Sequence, residues 1–125
     1  MSSKKALNIE PIQLGASVVN ILNCNVTSLA GPVGFTMAQP YLLITHARVI
    51  NNDSSPHTCS FWKGGTGASA AGTECWGNTV TVAANSYVDL FYGEMRFDAA
   101  DFLTGQASVA SHLTLQVEAE IGISG

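Results

Sequence analysis

The sequence predicts an all-β fold, a two-sheet antiparallel sandwich of jelly-roll type, on three observations. Short segments rich in Val, Ile, Leu, Thr and aromatic residues recur at roughly ten-residue spacing. Dense turn signals separate them, among them Gly31-Pro32, Asn51-Asn52-Asp53-Ser54-Ser55-Pro56 and Gly77-Asn78. No stretch alternates strand and helix periods as βαβ units do, which leaves sheet packed on sheet as the way to bury the apolar faces.

Residues 1–15 carry Lys4 and Lys5 with scattered Leu7, Ile9, Ile12 and Leu14, interrupted by Pro11 and closed by Gly15, so neither the helix nor the strand period holds. They read as an extended N-terminal arm, lying across its own domain or reaching a neighbouring subunit. Residues 16–125 read as one domain. Val18, Val19 and Ile21 favour a first strand, and Gly31-Pro32 and Gly34 mark a loop. Tyr41 to Ile50 is the clearest central strand, anchored by Leu42, Leu43, Ile44, Val49 and Ile50. The turn that follows leads into His57 to Lys63, and a hairpin is the simplest organisation of the two.

Residues 64–72 contain only Gly, Ala, Ser and Thr, have almost nothing to bury, and read as a surface loop and a contact site. Glu74-Cys75-Trp76, Thr79 to Val82 and Tyr87 to Tyr92 read as further short strands. Asp98, with an acid three residues on at Asp101, resembles a helix cap and predicts one short helical turn through Leu103. His112 to Ile121 alternates cleanly, Leu113, Leu115, Val117, Ala119 and Ile121 facing one way and Thr114, Gln116, Glu118 and Glu120 the other, the pattern of a half-buried strand.

Composition narrows the functional classes. Of 125 residues 46% are hydrophobic and 11% charged, against about a quarter charged in ordinary domains, so much of the surface is Ser, Thr, Asn, Gly and Ala. The net charge of −4 argues against a nucleic-acid partner, which requires clustered cations. No run approaches the roughly 20 apolar residues of a membrane helix, and the expectation is a soluble protein made in the cytoplasm. Cys24, Cys59 and Cys75 form no CxxC pair and read as buried thiols, with a Cys59–Cys75 bridge open if their strands pair.

His46, His57 and His112 stand at no recognised catalytic or metal spacing, so each reads as a hydrogen-bonded packing residue, and no metal or cofactor is expected. Gly64-Gly65-Thr66-Gly67 lacks the Lys-Ser/Thr pair and the helix start of a phosphate loop. Trp62, Trp76, Tyr87 and Tyr92 offer stacking surfaces to a sugar, or pack in the core or an interface. The residues therefore predict a non-enzymatic structural subunit.

Several stretches resemble small virion proteins of tailed double-stranded DNA bacteriophages. They are Leu42-Leu43-Ile44-Thr45-His46-Ala47-Arg48-Val49-Ile50-Asn51, Phe61-Trp62-Lys63-Gly64, Ala71-Gly72-Thr73-Glu74, Tyr92-Gly93-Glu94-Met95-Arg96-Phe97-Asp98-Ala99-Ala100-Asp101-Phe102-Leu103 and Leu113-Thr114-Leu115-Gln116-Val117-Glu118-Ala119-Glu120-Ile121-Gly122. The likeness spans Tyr41 to Gly125, about two-thirds of the chain, and concerns a strand pattern rather than a catalytic motif. It implies a capsid decoration or cement protein, a homo-oligomer with a trimer favoured, bound to the major capsid protein on the virion surface. Neck, tail or fibre proteins and a carbohydrate-binding module are the alternatives. Expected inter-subunit or capsid contacts are Leu7, Ile9, Ile12 and Leu14 of the arm, Lys63 and Thr66 beside the glycine loop, and Trp76.

Overall fold

The computed structural model describes residues 3–7, 9–22, 40–64, 72–98 and 101–123. Its strands are β1 (Ser3–Leu7), β2 (Ile12–Gln13), β3 (Val19–Leu22), β4 (Pro40–Asn51), β5 (His57–Gly64), β6 (Glu74–Val82), β7 (Tyr87–Phe97), β8 (Phe102–Ala107) and β9 (Leu113–Ile123). One sheet has the order β1-β9-β4-β7, with β2 also on β9, and the other the order β3-β8-β5-β6. Every pair is antiparallel. The strands nest like a long hairpin, β1 and β2 with β9, β3 with β8, β4 with β7 and β5 with β6. Rolling that hairpin creates the β4–β9 and β5–β8 pairs and yields the jelly-roll order, so the sandwich expected from the strand pattern is the fold observed.

The core lies between the sheets. Leu42, Ile44, Ala47 and Val49 of β4 and Leu113, Leu115 and Ile121 of β9 are fully buried and face Phe61, Leu103 and Val82 of the other sheet. The alternation read along residues 113–121 holds, the odd-numbered side chains being buried and the even-numbered ones at least partly exposed. In β4 the phase slips. Even-numbered Leu42 and Ile44 point inward, a bulge intervenes between Ile44 and His46, and odd-numbered Ala47 and Val49 point inward beyond it. The bulge is what sends His46 outward.

Three expectations are corrected. The segments flanking residues 51–56 form no hairpin, because β4 and β5 belong to opposite sheets. The buried Asn51 side chain explains the crossing: its Oδ1 accepts from Asp53 N at 2.9 Å, and its Nδ2 donates to Ser55 O at 2.9 Å, Val82 O at 3.1 Å and Ala83 O at 3.3 Å. The amide thus closes its own turn and ties it to the turn after β6, fixing where the chain changes sheets.

The helical turn expected through Leu103 stops short of it, since Phe102 and Leu103 lie in β8, while Ala99 and Ala100 lie outside the described residues. Asp101 N donates to Asp98 O at 3.0 Å and Asp98 N to the Asp101 carboxylate at 3.0 Å. Leu103, fully buried and paired with Lys63 and Leu22, is held by the sheet rather than by a helix.

The segments expected as two strands around Gly77-Asn78 are one strand, β6, with a wide bulge. Cys59 pairs with Val80 and Phe61 with Cys75, and the surplus residues are absorbed where Trp76 (φ 68°) and Gly77 (φ 114°) take left-handed backbone. Cys59 and Cys75 form no bridge; both are free buried thiols, each pushed up to about 12 by burial. Cys24 lies outside the described residues.

The arm is part of the sandwich. β1 and β2 lie along β9 in nearly one register, Leu7 opposite Ala119 and Ile12 opposite Leu115. The chain then changes sheets at once, Leu14 N donating to Leu113 O at 2.9 Å and Gly15 O accepting from Ala107 N at 2.8 Å.

Gly105 of β8 is packed closely against Phe61, its cross-strand partner on β5. A Cβ on Gly105 would lie 2.9 Å from Ile21 Cδ1 and 3.2 Å from the Phe61 ring. Gly105→Ala is expected to destabilise by about 1–3 kcal/mol in urea unfolding. Asn51→Ala, which strips buried carbonyls of a donor, is expected to cost about 2–3 kcal/mol in the same measurement.

Candidate functional site

Charged and aromatic side chains gather on the outer face of the sheet, across β7, β4 and β9. Register sets them in cross-strand rows. Tyr92, His46 and Glu118 form one row, Asp89, Arg48 and Gln116 the next, and Tyr87, Ile50 and Thr114 the third. Cross-strand neighbours of this kind stand close enough for direct side-chain contact.

His46 is the hub. Its Nδ1 lies 2.8 Å from Glu118 Oε1 and its Nε2 2.9 Å from Asp89 Oδ1, while its ring stacks on Tyr92 at 4.4 Å and 14°. With a carboxylate oxygen at each ring nitrogen, the doubly protonated ring satisfies both contacts, and a neutral ring would face one carboxylate with a lone pair. The Asp89 hydrogen bond, reinforced by Glu118 and opposed by burial, raises the His46 pKa above its ordinary value. Arg48 Nε donates to the same Asp89 Oδ1 at 2.7 Å, and its guanidinium covers the Tyr87 ring at 4.3 Å. Arg48 first and His46 second hold Asp89 down to about 2.

Tyr92 therefore has one ring face against the His46 imidazole and Tyr87 one against the Arg48 guanidinium, and the two tyrosines are 68% and 54% exposed. On the β9 side of His46 and Arg48 a cleft of about 350 Å³ runs between the outer face and the chain linking β1 to β2, lined by Ile9, Pro11, His46, Arg48, Gln116 and Glu118 among others.

A second cluster sits at one end of the sandwich. Asp53 Oδ2 lies 2.7 Å from His57 Nε2 and 3.8 Å from His112 Nε2, and the two imidazoles stack at 5.5 Å and 11°. The His57 hydrogen bond and the Ser54 N–H lower the Asp53 pKa. Nearly parallel rings point their nitrogen lone pairs along separate planes, so this stacking does not direct both onto one metal ion. Among the described residues no group of three or more His, Cys, Asp or Glu is placed to hold a metal.

The residues expected to make contacts are placed differently. Leu14 is 1% exposed and belongs to the core, and Ile9 and Ile12 are partly buried against it. Leu7 ends β1, opposite Ala119. Lys63 reaches over Phe97 with its ammonium 5.0 Å from the ring. Trp76 is turned inward by its left-handed backbone and bridges the sheets, 5.2 Å from Phe61 and 6.2 Å from Phe91. Within their own domain Leu14 is thus a core residue and Trp76 is partly buried against the core. Thr66 lies outside the described residues. The outer-face cluster escaped the sequence reading because it joins three strands distant in sequence. Its only signals were the phase slip between Ile44 and Ala47 and the polar side of the final strand.

No protein-family model matches the sequence, and comparison with curated proteins returns no match. Among solved structures the chain is similar to one from work on Bacillus endospore appendages, described as a novel family of disulfide-linked pili, at a TM-score of 0.46 and 15% identity, covering 99% of this chain and 87% of that one.

The hub predicts a pH profile. His46, raised in the folded state, contributes stability that is fully present below its unfolded pKa of about 6.5 and is lost as pH rises through the folded value. Asp89, depressed in the folded state, contributes stability present above about pH 4 that is lost as pH falls toward about 2. Thermal unfolding of the wild type, His46→Gln and Asp89→Asn from about pH 3 to 9 is expected to show the His46 variant's deficit shrinking on the alkaline side and the Asp89 variant's on the acid side. Profiles parallel to the wild type would remove the hub from the account.

Proposed function

We propose that the chain is a non-enzymatic structural subunit that self-associates and attaches to a larger protein shell, as a decoration or cement protein of a tailed-phage capsid does. The observation that carries the reading is the edge of the β1-β9-β4-β7 sheet. β7 runs eleven residues, Tyr87–Phe97, and among the described residues pairs with a single strand, β4. A long open edge is a template for another chain, and a subunit of an oligomer has a use for it.

Two further features support the reading. The opposite edge is formed by the chain's own N-terminal strands, two short pieces of five and two residues, so β7 is the longer continuous edge of this sheet. The low charge suits many modest contacts, which a shell of repeated copies multiplies by avidity. The phage resemblance supplies the kind of shell, and a closed homotrimer is the assembly this reading favours.

Light scattering on the purified protein is expected to give three times the chain mass, and co-sedimentation with empty capsids to saturate at a stoichiometry set by the capsid lattice. A monomer that stays in the supernatant at every capsid concentration would overturn both parts of the reading. Deleting residues 1–15 is not a clean probe, since it uncovers β9 and removes Leu14 from the core.

A further inference from the structure

We propose that β6 and β7 pair with each other between copies of the chain, β7 of one subunit lying beside β6 of the next, so that three subunits close into a ring. This rests on the self-association put forward above and names the second edge that it uses. β6 ends the β3-β8-β5-β6 sheet as β7 ends the other. The two edges lie on the same side of the sandwich, since Trp76 of β6 stands 6.2 Å from Phe91 of β7. A joint of β7 with β7 would leave β6 uncovered. A joint of β7 with β6 uses two different edges, and repeated round a three-fold axis it leaves neither open.

Direction and level follow from the same symmetry. Residues 83–86 link β6 to β7, and the Trp76–Phe91 contact shows the two strands running back alongside each other from that link. Rotation about an axis along the strands changes neither direction nor height, so β7 of one copy meets β6 of the next antiparallel, as in the pairs within the chain. Bulges interrupt both strands, at Trp76 and Gly77 in β6 and around Gly93 in β7. The stretches beside the link, residues 80–82 and 87–89, keep regular register with their own neighbours and are the ones brought together.

The side chains favour this occupant. Neither strand carries Lys or Pro, residues that commonly blunt an exposed edge. Pairing β7 with β7 would set Asp89 and Glu94 against their own copies, whereas β6 carries a single charge, Glu74, at the end far from the link. Trp76 and Val80 of β6 and Val88, Leu90, Phe91 and Met95 of β7 pack on the core yet are only partly buried. The ring turns them toward its axis, where the neighbouring copies complete their burial. Trp76 marks the same seam independently. It takes left-handed backbone at φ 68°, and its indole N–H is buried with no acceptor among the described residues. Both features cost free energy in an isolated chain, and an adjoining strand brings backbone carbonyls to this place.

The test is light scattering together with photo-cross-linking from benzoylphenylalanine placed at Tyr87, an aromatic side chain 54% exposed beside the link. Assembled protein is expected to yield covalent pairs of chains on a denaturing gel, with the second peptide mapping by mass spectrometry to the Val80–Val82 end of β6. Thr81→Glu, at an exposed position, sets a carboxylate near Asp89 of the next copy. It is expected to raise the concentration at which half the chains are assembled about tenfold over the three joints of the ring, with the circular dichroism unchanged. In a protein that assembles, cross-links that fall on β7, on any other strand or nowhere, or a Thr81→Glu variant that assembles like the wild type, would overturn the β6–β7 joint and leave self-association standing. A protein monomeric at every concentration would overturn both.

Discussion

The pairing of β4 with β9 is the constraint on which the rest of this structure depends. β4 is twelve residues long and β9 eleven, and they stay in register from Pro40–Ile123 to Asn51–Leu113 around a single bulge. Their sequence separation makes the pairing costly to form, since it closes most of the chain into a loop. Once formed, it sets both faces at once. Leu42, Ile44, Ala47 and Val49 meet Leu115, Val117, Ala119 and Ile121 on the inside, and His46 and Arg48 meet Glu118 and Gln116 on the outside. A slip of one residue would exchange the two sets. Core and site therefore share one cause.

Within the outer face, His46 and Arg48 converge on a single oxygen, Asp89 Oδ1. Such a node draws three strands' side chains into one geometry, because the cation on β4 stands between a carboxylate on β7 and another on β9. Exposed ion pairs contribute little singly, and the effect of this one is to hold the His46 ring stacked on Tyr92 and the Arg48 guanidinium over Tyr87. The aromatic faces are presented to solvent by electrostatics rather than by burial.

Much of the fold was legible in the residues, and the misses share a physical origin. β9 was plain because Leu113 to Ile121 alternates without interruption. The existence of β4 was plain from its apolar anchors, but its bulge was not, since Leu42-Leu43-Ile44 reads apolar in either phase. Asn51 and Asp98 misled for the same reason: each sits in a turn whose direction is set by hydrogen bonds from its own side chain or its neighbour's, and a residue type does not reveal the partner. Trp76 stayed open between core, interface and ligand because its inward orientation depends on left-handed backbone that a tryptophan rarely adopts. The outer-face cluster was the least legible, as Asp89, His46 and Glu118 meet only through two long-range pairings. Leu7, Ile9, Ile12 and Leu14 looked like an arm because Pro11 breaks their period, although Ile12 and Leu14 already alternate as a strand does.

Native-state amide hydrogen exchange read residue by residue tests the central claim, that the β4–β9 ladder holds the molecule together, most directly. The account predicts that amides in the middle of β4 and β9 exchange only through global unfolding, while those of β1, β2 and β3 open at lower free energy. Protection of β4 no greater than that of the short edge strand β3 would contradict it, and with it the origin assigned here to both the core and the outer-face cluster.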